Sequence, residues 1–423
     1  MMRFLYNIIL HALIPYIFIR LYRKGRHLPA YRQRIAERFF LNKSKPFAAD
    51  IWVHANSLGE VVAASPLIEA LLAQQWQVLV TTMTPTGSQQ VRTRFGERVA
   101  HQYVPYDLPW AVRRFFKQLN LRAGIIMETE LWPNLIYYAQ RADVPLVIAN
   151  ARLSDKSFKS CQKARFFFAP VLNKLACILA QSTLDAKRFI ALGAKSERVH
   201  MAGNIKFDLQ TAGFDRGVGE TLKQRWGQQR PVFMVASTHE DEEQQLLSRL
   251  PFLQTSIPNI VVLIAPRHPE RFMPVYELCK ALGFNTGLRS QPLTVNDHND
   301  VVVLDSLGEL LGFYHVSDYA FVGGSLVPIG GHNVLEPIAM GVPVFCGPHM
   351  QNFRAICAEL STAQALVQIP NADALMAALV HLHEDPGRRK AQIYNATQVL
   401  DVNRGALALH CQYIDAILNH KIK

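Results

Sequence analysis

Short runs of β-branched and aliphatic residues alternate with helix-spaced segments along most of this chain, and that rhythm restricts the fold more than any other feature. Candidate strands fall at 51–54, 77–81, 124–127, 146–149, 177–180 and 198–201, then at 232–236, 260–265, 301–304, 319–322 and 342–346. After the first of them, Val61, Ala64, Leu67, Ile68, Leu71 and Leu72 recur with helical spacing. Strand and helix in alternation build βαβ units and hence parallel sheets. The rhythm lapses over 208–230, a polar, Gly-bearing stretch that reads as a linker. Beyond about Asn371 the pattern is helical. The expectation is an α/β chain with two doubly wound, Rossmann-like domains facing a cleft, at 25–207 and 231–423, the second ending in helices. Ligands of such sheets bind beyond the carboxyl ends of the strands, so the loops there carry the candidate chemistry.

What precedes the first strand has a different character. Residues 4–19 are almost continuously apolar, interrupted by Asn7, His11 and Pro15. Sixteen helical residues extend about 24 Å, short of the ~30 Å hydrocarbon core, so 1–24 reads as an anchor that is either a marginal tilted span or an interfacial helix. The alternative is a buried first helix of a soluble domain. A basic block follows: Arg20, Arg23, Lys24, Arg26, Arg32, Arg34, Arg38, Lys43 and Lys45 against Glu37, a net +8 of the chain's +12. Its position directly after an apolar helix favours an anionic membrane surface over nucleic acid, and places the rest of the chain on the cytoplasmic side. With 49% hydrophobic and 18% charged residues the 423-residue chain is not globally disordered. Its six cysteines show no paired spacing, which argues against a disulfide frame or a zinc site.

Four loops bear polar residues in suggestive patterns. In the segment 54–60 (HANSLGE), Ser57 and Glu60 match a capping box, while Glu60 at a strand exit is also a candidate base. The segment 128–134 (ETELWPN) puts Glu128 and Glu130 at the next exit, as paired acids or as partners of a helix dipole. In 265–271 (APRHPER), Arg267 can clamp a phosphate or pair with Glu270. The stretch 323–337 is rich in glycine, including Gly330 and Gly331, and a helix starting near Gly331 would aim its positive end at phosphate. Asn333 and Glu336 would share a face of that helix, the carboxylate suited to ribose hydroxyls. The acidic run 240–243 reads as a helix first turn capped by Ser237 or Thr238. There is neither a Walker A sequence nor a metal-binding motif.

Taken in order, 54–60, 128–134, 150–157 (NARLSDKS), 202–208 (AGNIKFD), 265–271 and 323–337 resemble the 3-deoxy-D-manno-octulosonic acid (Kdo) transferases of Gram-negative lipopolysaccharide assembly. The resemblance runs from about Phe4 to about residue 400. It implies a GT-B fold and an inverting, metal-independent transferase at the inner membrane, needing no cofactor. Kdo would pass from CMP-Kdo to lipid IVA, with anionic lipids rather than nucleic acid as the surrounding partner. Glu60 would be the general base, Glu130 and Glu128 would lie on the acceptor side, and Arg267, Gly330, Gly331, Asn333 and Glu336 would hold the donor. Two other classes remain to be separated from it: a nucleotide-sugar epimerase of the same two-domain fold, and a non-catalytic lipid-binding protein.

Overall fold

The computed structural model describes residues 2–41, 48–208 and 214–419. It divides into two units, Met1–Asp208 with Asn403–Lys423, and Leu209–Val402. The first carries seven strands: β1 Ile51–His54, β2 Val78–Thr82, β3 Ala100–Tyr103, β4 Ala123–Met127, β5 Leu146–Ala151, β6 Cys177–Ala180 and β7 Val199–Met201. They form one sheet in the order β3-β2-β1-β4-β5-β6-β7, every pair parallel. Alternate side chains go to opposite faces and both faces are covered, which is why the runs read as continuously apolar. On β1, Trp52 enters one core with Leu79, Ile126 and Ile148. Its neighbours Ile51 and Val53 enter the other with Val80, Ile125 and Val147.

The second unit repeats this plan with β8 Val232–Thr238, β9 Val261–Pro266, β10 Thr286–Leu288, β11 Val301–Val303, β12 Tyr319–Val322, β13 Val344–Cys346 and β14 Leu366–Gln368. The order is β10-β11-β9-β8-β12-β13-β14, again all parallel. The alternating pattern thus holds in both halves. The strands it does not reveal, β3, β10 and β14, are all outermost in their sheets.

Three sequence-based boundaries need correction. The proposed linker contains a helix, Gly217–Trp226, whose Leu222 and Trp226 are buried in the second unit's core. The rest of that segment includes residues 209–213, which lie outside those described. The C-terminal helices do not all belong to the second unit. Ala372–Glu384 and most of Pro386–Asn403 do, but Ala406–Leu418 covers the first unit's sheet, with Ile414, Ile417 and Leu418 joining the core of Ile51 and Val53. Asp208 secures its start by accepting from the N–H groups of Gly405 (2.9 Å) and Leu407.

The third correction concerns the N-terminal segment. The apolar run is two helices, Met2–Ala12 and Ile14–His27. Pro15 lacks an N–H and crowds the preceding turn, which accounts for the break beside it. Among the described residues no single helix is long and apolar enough to cross a membrane; Met2–Ala12 and Ile14–Arg26 together have the length and composition, but they are bent by 47°. Their inner side is mixed: Leu10, Ile14 and Ile17 pack against Phe39, Leu108 and Ala111, while Tyr6 donates to Asp107 (2.9 Å) and Asn7 Oδ1 accepts from Asn134 (2.7 Å). Phe4, Leu5, Ile8, Ile9, Tyr16, Phe18 and Ile19 are exposed. Of the basic block, Arg34 is paired with Glu37 at 2.7 Å, and Arg38 is buried, donating to Met83 O at 2.8 Å. These two arginines serve the domain itself, and Lys43 and Lys45 lie outside the described residues.

The returning helix reaches the sheet's functional end through His410, which is fully buried. Its Nδ1 bonds Ala406 O at 2.6 Å and its Nε2 accepts from the N–H of Asn150 at 2.9 Å, with Asn150 in a left-handed conformation (φ 52°). Burial pulls the imidazole down to about 4, so it stays a neutral acceptor. His410→Ala leaves that buried N–H unsatisfied, at a cost of about 1–3 kcal/mol. Thermal melts should show the first unit's transition falling by several degrees, and a parent-like melt would show the bond to be idle.

Candidate active site

Doubly wound sheets have one place where neighbouring strands send their crossovers in opposite directions, and the gap outside it is the usual ligand site. In the first sheet it lies between β1 and β4, whose exits carry Glu60 and the Glu128–Glu130 pair. In the second it lies between β8 and β12, whose exits carry His239 and the glycine-rich stretch. The acids and the glycine-rich stretch singled out from sequence therefore sit where topology leaves room for a ligand, while Arg267 follows the neighbouring β9.

In the first unit Ser57 caps the helix Leu58–Ala73, accepting from Glu60 N, while Ser57 Oγ donates to Glu60 Oε1 (3.0 Å). Asn56 N donates to Glu60 Oε2 (2.8 Å), so the box closes one residue earlier than the usual cap. Asn56 Nδ2 also donates to Glu130 Oε1, and Trp132 Nε1 to Glu130 Oε2, both at 2.6 Å. Glu128 has φ 57° and pairs with Lys206 at 3.1 Å. The structure thus gathers Glu60, Glu128 and Glu130 in one cluster. Burial first, then the charge of Glu128 and to a lesser degree that of Glu130, push the Glu60 carboxyl up to about 8, against the pull of its two hydrogen bonds. The helix-dipole role offered for Glu128 and Glu130 falls instead to Asp107, which accepts from Asn134 N (2.9 Å) and Leu135 N (2.7 Å) at the start of Pro133–Arg141.

In the second unit Arg267 follows β9 and is exposed, and among the described residues it pairs with no acid, Glu270 included. Its charge bears on His332 and on Glu336, whose carboxyl is raised by burial and lowered by Asn333 and Arg267. Asn333 Nδ2 donates to Glu336 Oε1 (3.1 Å). The helix here is only Leu335–Ala339 and starts four residues later than expected. Gly330 and Gly331 do not offer their N–H groups to a ligand, because both donate to Gly324 O (3.2 and 2.8 Å). Their φ values of 112° and 75°, and the crowding of Asn352 and Met350 where a Cβ would stand, explain why glycine is needed.

Sequence reasoning missed the imidazoles here. His239 and His332 stack with their Nε2 atoms 2.8 Å apart, and His268 meets His239 edge-on. Burial, reinforced by the neighbouring His239 and Arg267, holds His332 down at about 3. The acidic run does open a helix, Glu242–Leu247, but it is capped neither by Ser237 nor by Thr238. Glu242 and Glu243 are fully buried, Thr238 donates to Glu243 (3.0 Å), and Asp241 at the cap position makes no side-chain cap bond.

A family model described as 3-Deoxy-D-manno-octulosonic-acid transferase (kdotransferase) matches residues 33–209. The 3-deoxy-D-manno-octulosonic acid transferase of Haemophilus influenzae is 40% identical over 412 residues, 96% of each chain. This chain belongs to the Kdo transferase family. The Bordetella pertussis member is 34% identical over 405 residues, 92% of this chain and 93% of that one. A crystal structure of a glycosyltransferase from Rickettsia africae, 13% identical, covers 88% of this chain and 99% of its own with a TM-score of 0.53, and shows the shared GT-B fold. The Kdo transferase is accordingly a glycosyltransferase, and the epimerase and lipid-binding alternatives fall away.

Lys206 and Asn56 of this Kdo transferase escaped notice as site residues because neither has a local signature. Lys206 reaches Glu128 because it lies on the turn Ile205–Phe207 after β7, which is held at the β5 exit by Ile205 N donating to Asn150 Oδ1 (3.1 Å). The elevated Glu60 has a consequence for stability. Between pH 4.5, the free-chain value, and about 8, the folded protein holds a proton that the unfolded chain has released. Stability therefore falls as pH rises through that window. Glu60→Gln removes the titration, so its melting temperature minus that of the parent should climb from pH 5 to pH 9. A difference that stays flat across that range would contradict the shift.

Proposed function

We propose that this Kdo transferase moves Kdo from CMP-Kdo to a primary hydroxyl of lipid IVA in lipopolysaccharide biosynthesis, with inversion and with Glu60 as the general base. The observation that carries the reading is Glu60 itself, a buried carboxyl raised to about 8 beside Glu128 and Glu130 at the β1/β4 exit. A base tuned near the working pH accepts a proton far better than an ordinary carboxylate. Ser57 and Asn56 N fix its two oxygens, and Asn56 and Trp132 fix Glu130 as a ready acceptor-side carboxylate. In the single displacement the acceptor oxygen bonds to the Kdo anomeric carbon as its proton passes to Glu60. The bond to the CMP phosphate breaks on the opposite face, and CMP leaves with the electron pair.

The second unit is the donor half in this reading. Arg267 is an uncommitted cation beside three imidazoles and can meet the leaving phosphate without a metal ion, while Asn333 and Glu336 suit the ribose hydroxyls. The exposed apolar side of the N-terminal helices, followed by Arg20, Arg23, Lys24 and Arg26, suits the interface of an inner membrane that also holds the acceptor.

Mass spectrometry of lipid IVA incubated with CMP-Kdo and purified protein tests the reaction, and an unmodified lipid would refute it. Glu60→Gln should lose about 10²–10⁴-fold in kcat with CMP binding retained. The parent's rate should rise with pH up to about 8. Arg267→Ala should raise the donor KM by about tenfold or more, and chelators should leave the rate unchanged. For the membrane side, replacing Ile8 and Ile9 with Asp should release the protein from anionic vesicles; continued cosedimentation would remove that surface from the reading.

A further inference from the structure

Glu242 is fully buried at the β8 exit and, among the described residues, lies in no ion pair. Its carboxylate instead accepts four backbone N–H bonds. Oε2 takes His239 N (3.1 Å) and Gly324 N (2.6 Å), and Oε1 takes Ser325 N (2.9 Å) and Leu326 N (2.8 Å). Three successive N–H groups converging on one point form the kind of concavity that binds anions. Here it is already filled by the chain's own carboxylate. The backbones on either side are in close approach, since a Cβ on Gly323 would stand 2.6 Å from Ser237 O.

The hold does not stop at those four bonds. Gly324, gripped through its N–H, accepts through its carbonyl from Gly330 and Gly331. Gly331 leads directly into His332, which meets His239, whose own N–H returns to Glu242. Carboxylate, glycine loop and imidazole pair form a closed circuit. Cutting it at Glu242 frees both the loop and His239 at once.

We propose that Glu242 is a positioning residue, an internal anion that latches the glycine loop and the His239–His332 pair into the shape the donor meets. The donor's phosphate is then held by side chains, Arg267 and the imidazoles, and not by loop N–H groups. The proposal rests on the reading of the second unit as the donor half.

The test uses the full chain, with CMP titrated by calorimetry and both substrates varied in steady-state kinetics. Glu242→Gln keeps the size but turns an amide N–H₂ toward two N–H donors. It should weaken CMP binding and raise the donor KM by about tenfold or more, with the acceptor KM unchanged. Glu242→Ala should do the same, and added formate, refilling the vacated nest, should restore CMP affinity. Parent-like donor KM and CMP affinity in Glu242→Gln would overturn the latch. So would a parallel loss of melting temperature and of both substrates' parameters, which marks a merely structural role. Should the alanine variant not fold, the glutamine variant decides alone. A parent protein that fails to bind CMP would instead overturn the donor reading itself, and the two failures are distinguished by that control.

Discussion

Parallel strands cannot be joined by tight turns, and everything functional in this chain follows from where that rule leaves gaps. Each crossover must carry a helix over a face of the sheet. Where two neighbouring strands send their crossovers apart, at β1/β4 and at β8/β12, no helix covers the exits. Polar residues accumulate there because backbone N–H groups, helix starts and room for a ligand all occur together. The buried apolar faces below, with Trp52 on one side and Ile51 and Val53 on the other, make the exits rigid enough to hold side chains in fixed relation.

Carboxylates in these gaps show how environment divides labour among chemically identical groups. Glu60 is buried beside two acidic neighbours, and burial first and their charges second outweigh its two hydrogen bonds and leave it reluctant to lose its proton. Glu130 is saturated by Asn56 and Trp132, and Glu128 is tied to Lys206. Glu242 is surrounded by four N–H groups. One residue type thus supplies a carboxyl that keeps its proton, a carboxylate fixed by two donors, an ion-pair partner and the acceptor of four backbone N–H groups.

Much of this was legible in the sequence, and what was not has physical causes. Central strands announce themselves because both faces and both edges are covered. Strands β3, β10 and β14 have one open edge and short, mixed runs such as Ala100–Tyr103, so their apolar signal is weak. The Ser57–Glu60 spacing was read as a cap or a base, and the structure has the cap in place with the carboxyl still raised. Gly330 and Gly331 were read as open to a ligand, but spacing cannot show that their N–H groups are spent on Gly324 or that Asn352 and Met350 fill the space beside them. The acidic run 240–243 reads as a helix first turn, and Glu242 and Glu243 do open the helix Glu242–Leu247, but the cap position is Asp241 and charge alone does not show where a buried carboxylate finds its partners. Glu242 is buried only because a loop some eighty residues later brings it N–H groups.

The helix Ala406–Leu418 closes a core whose sheet is finished by Met201. On the ribosome, β1 to β7 therefore emerge with one face only partly covered, by helices that include Leu58–Ala73, and it stays so while the whole of Leu209–Val402 is made. The intervening unit can fold by itself in the meantime, whereas the first must wait, its uncovered apolar surface open to chaperones or proteases. Any chain cut short inside the second unit lacks the helix that carries His410 and so cannot complete the exit of β5. Completion of the β5 exit, where Asn150 also accepts from Ile205 N at 3.1 Å, is in this way gated by synthesis of the other half of the enzyme.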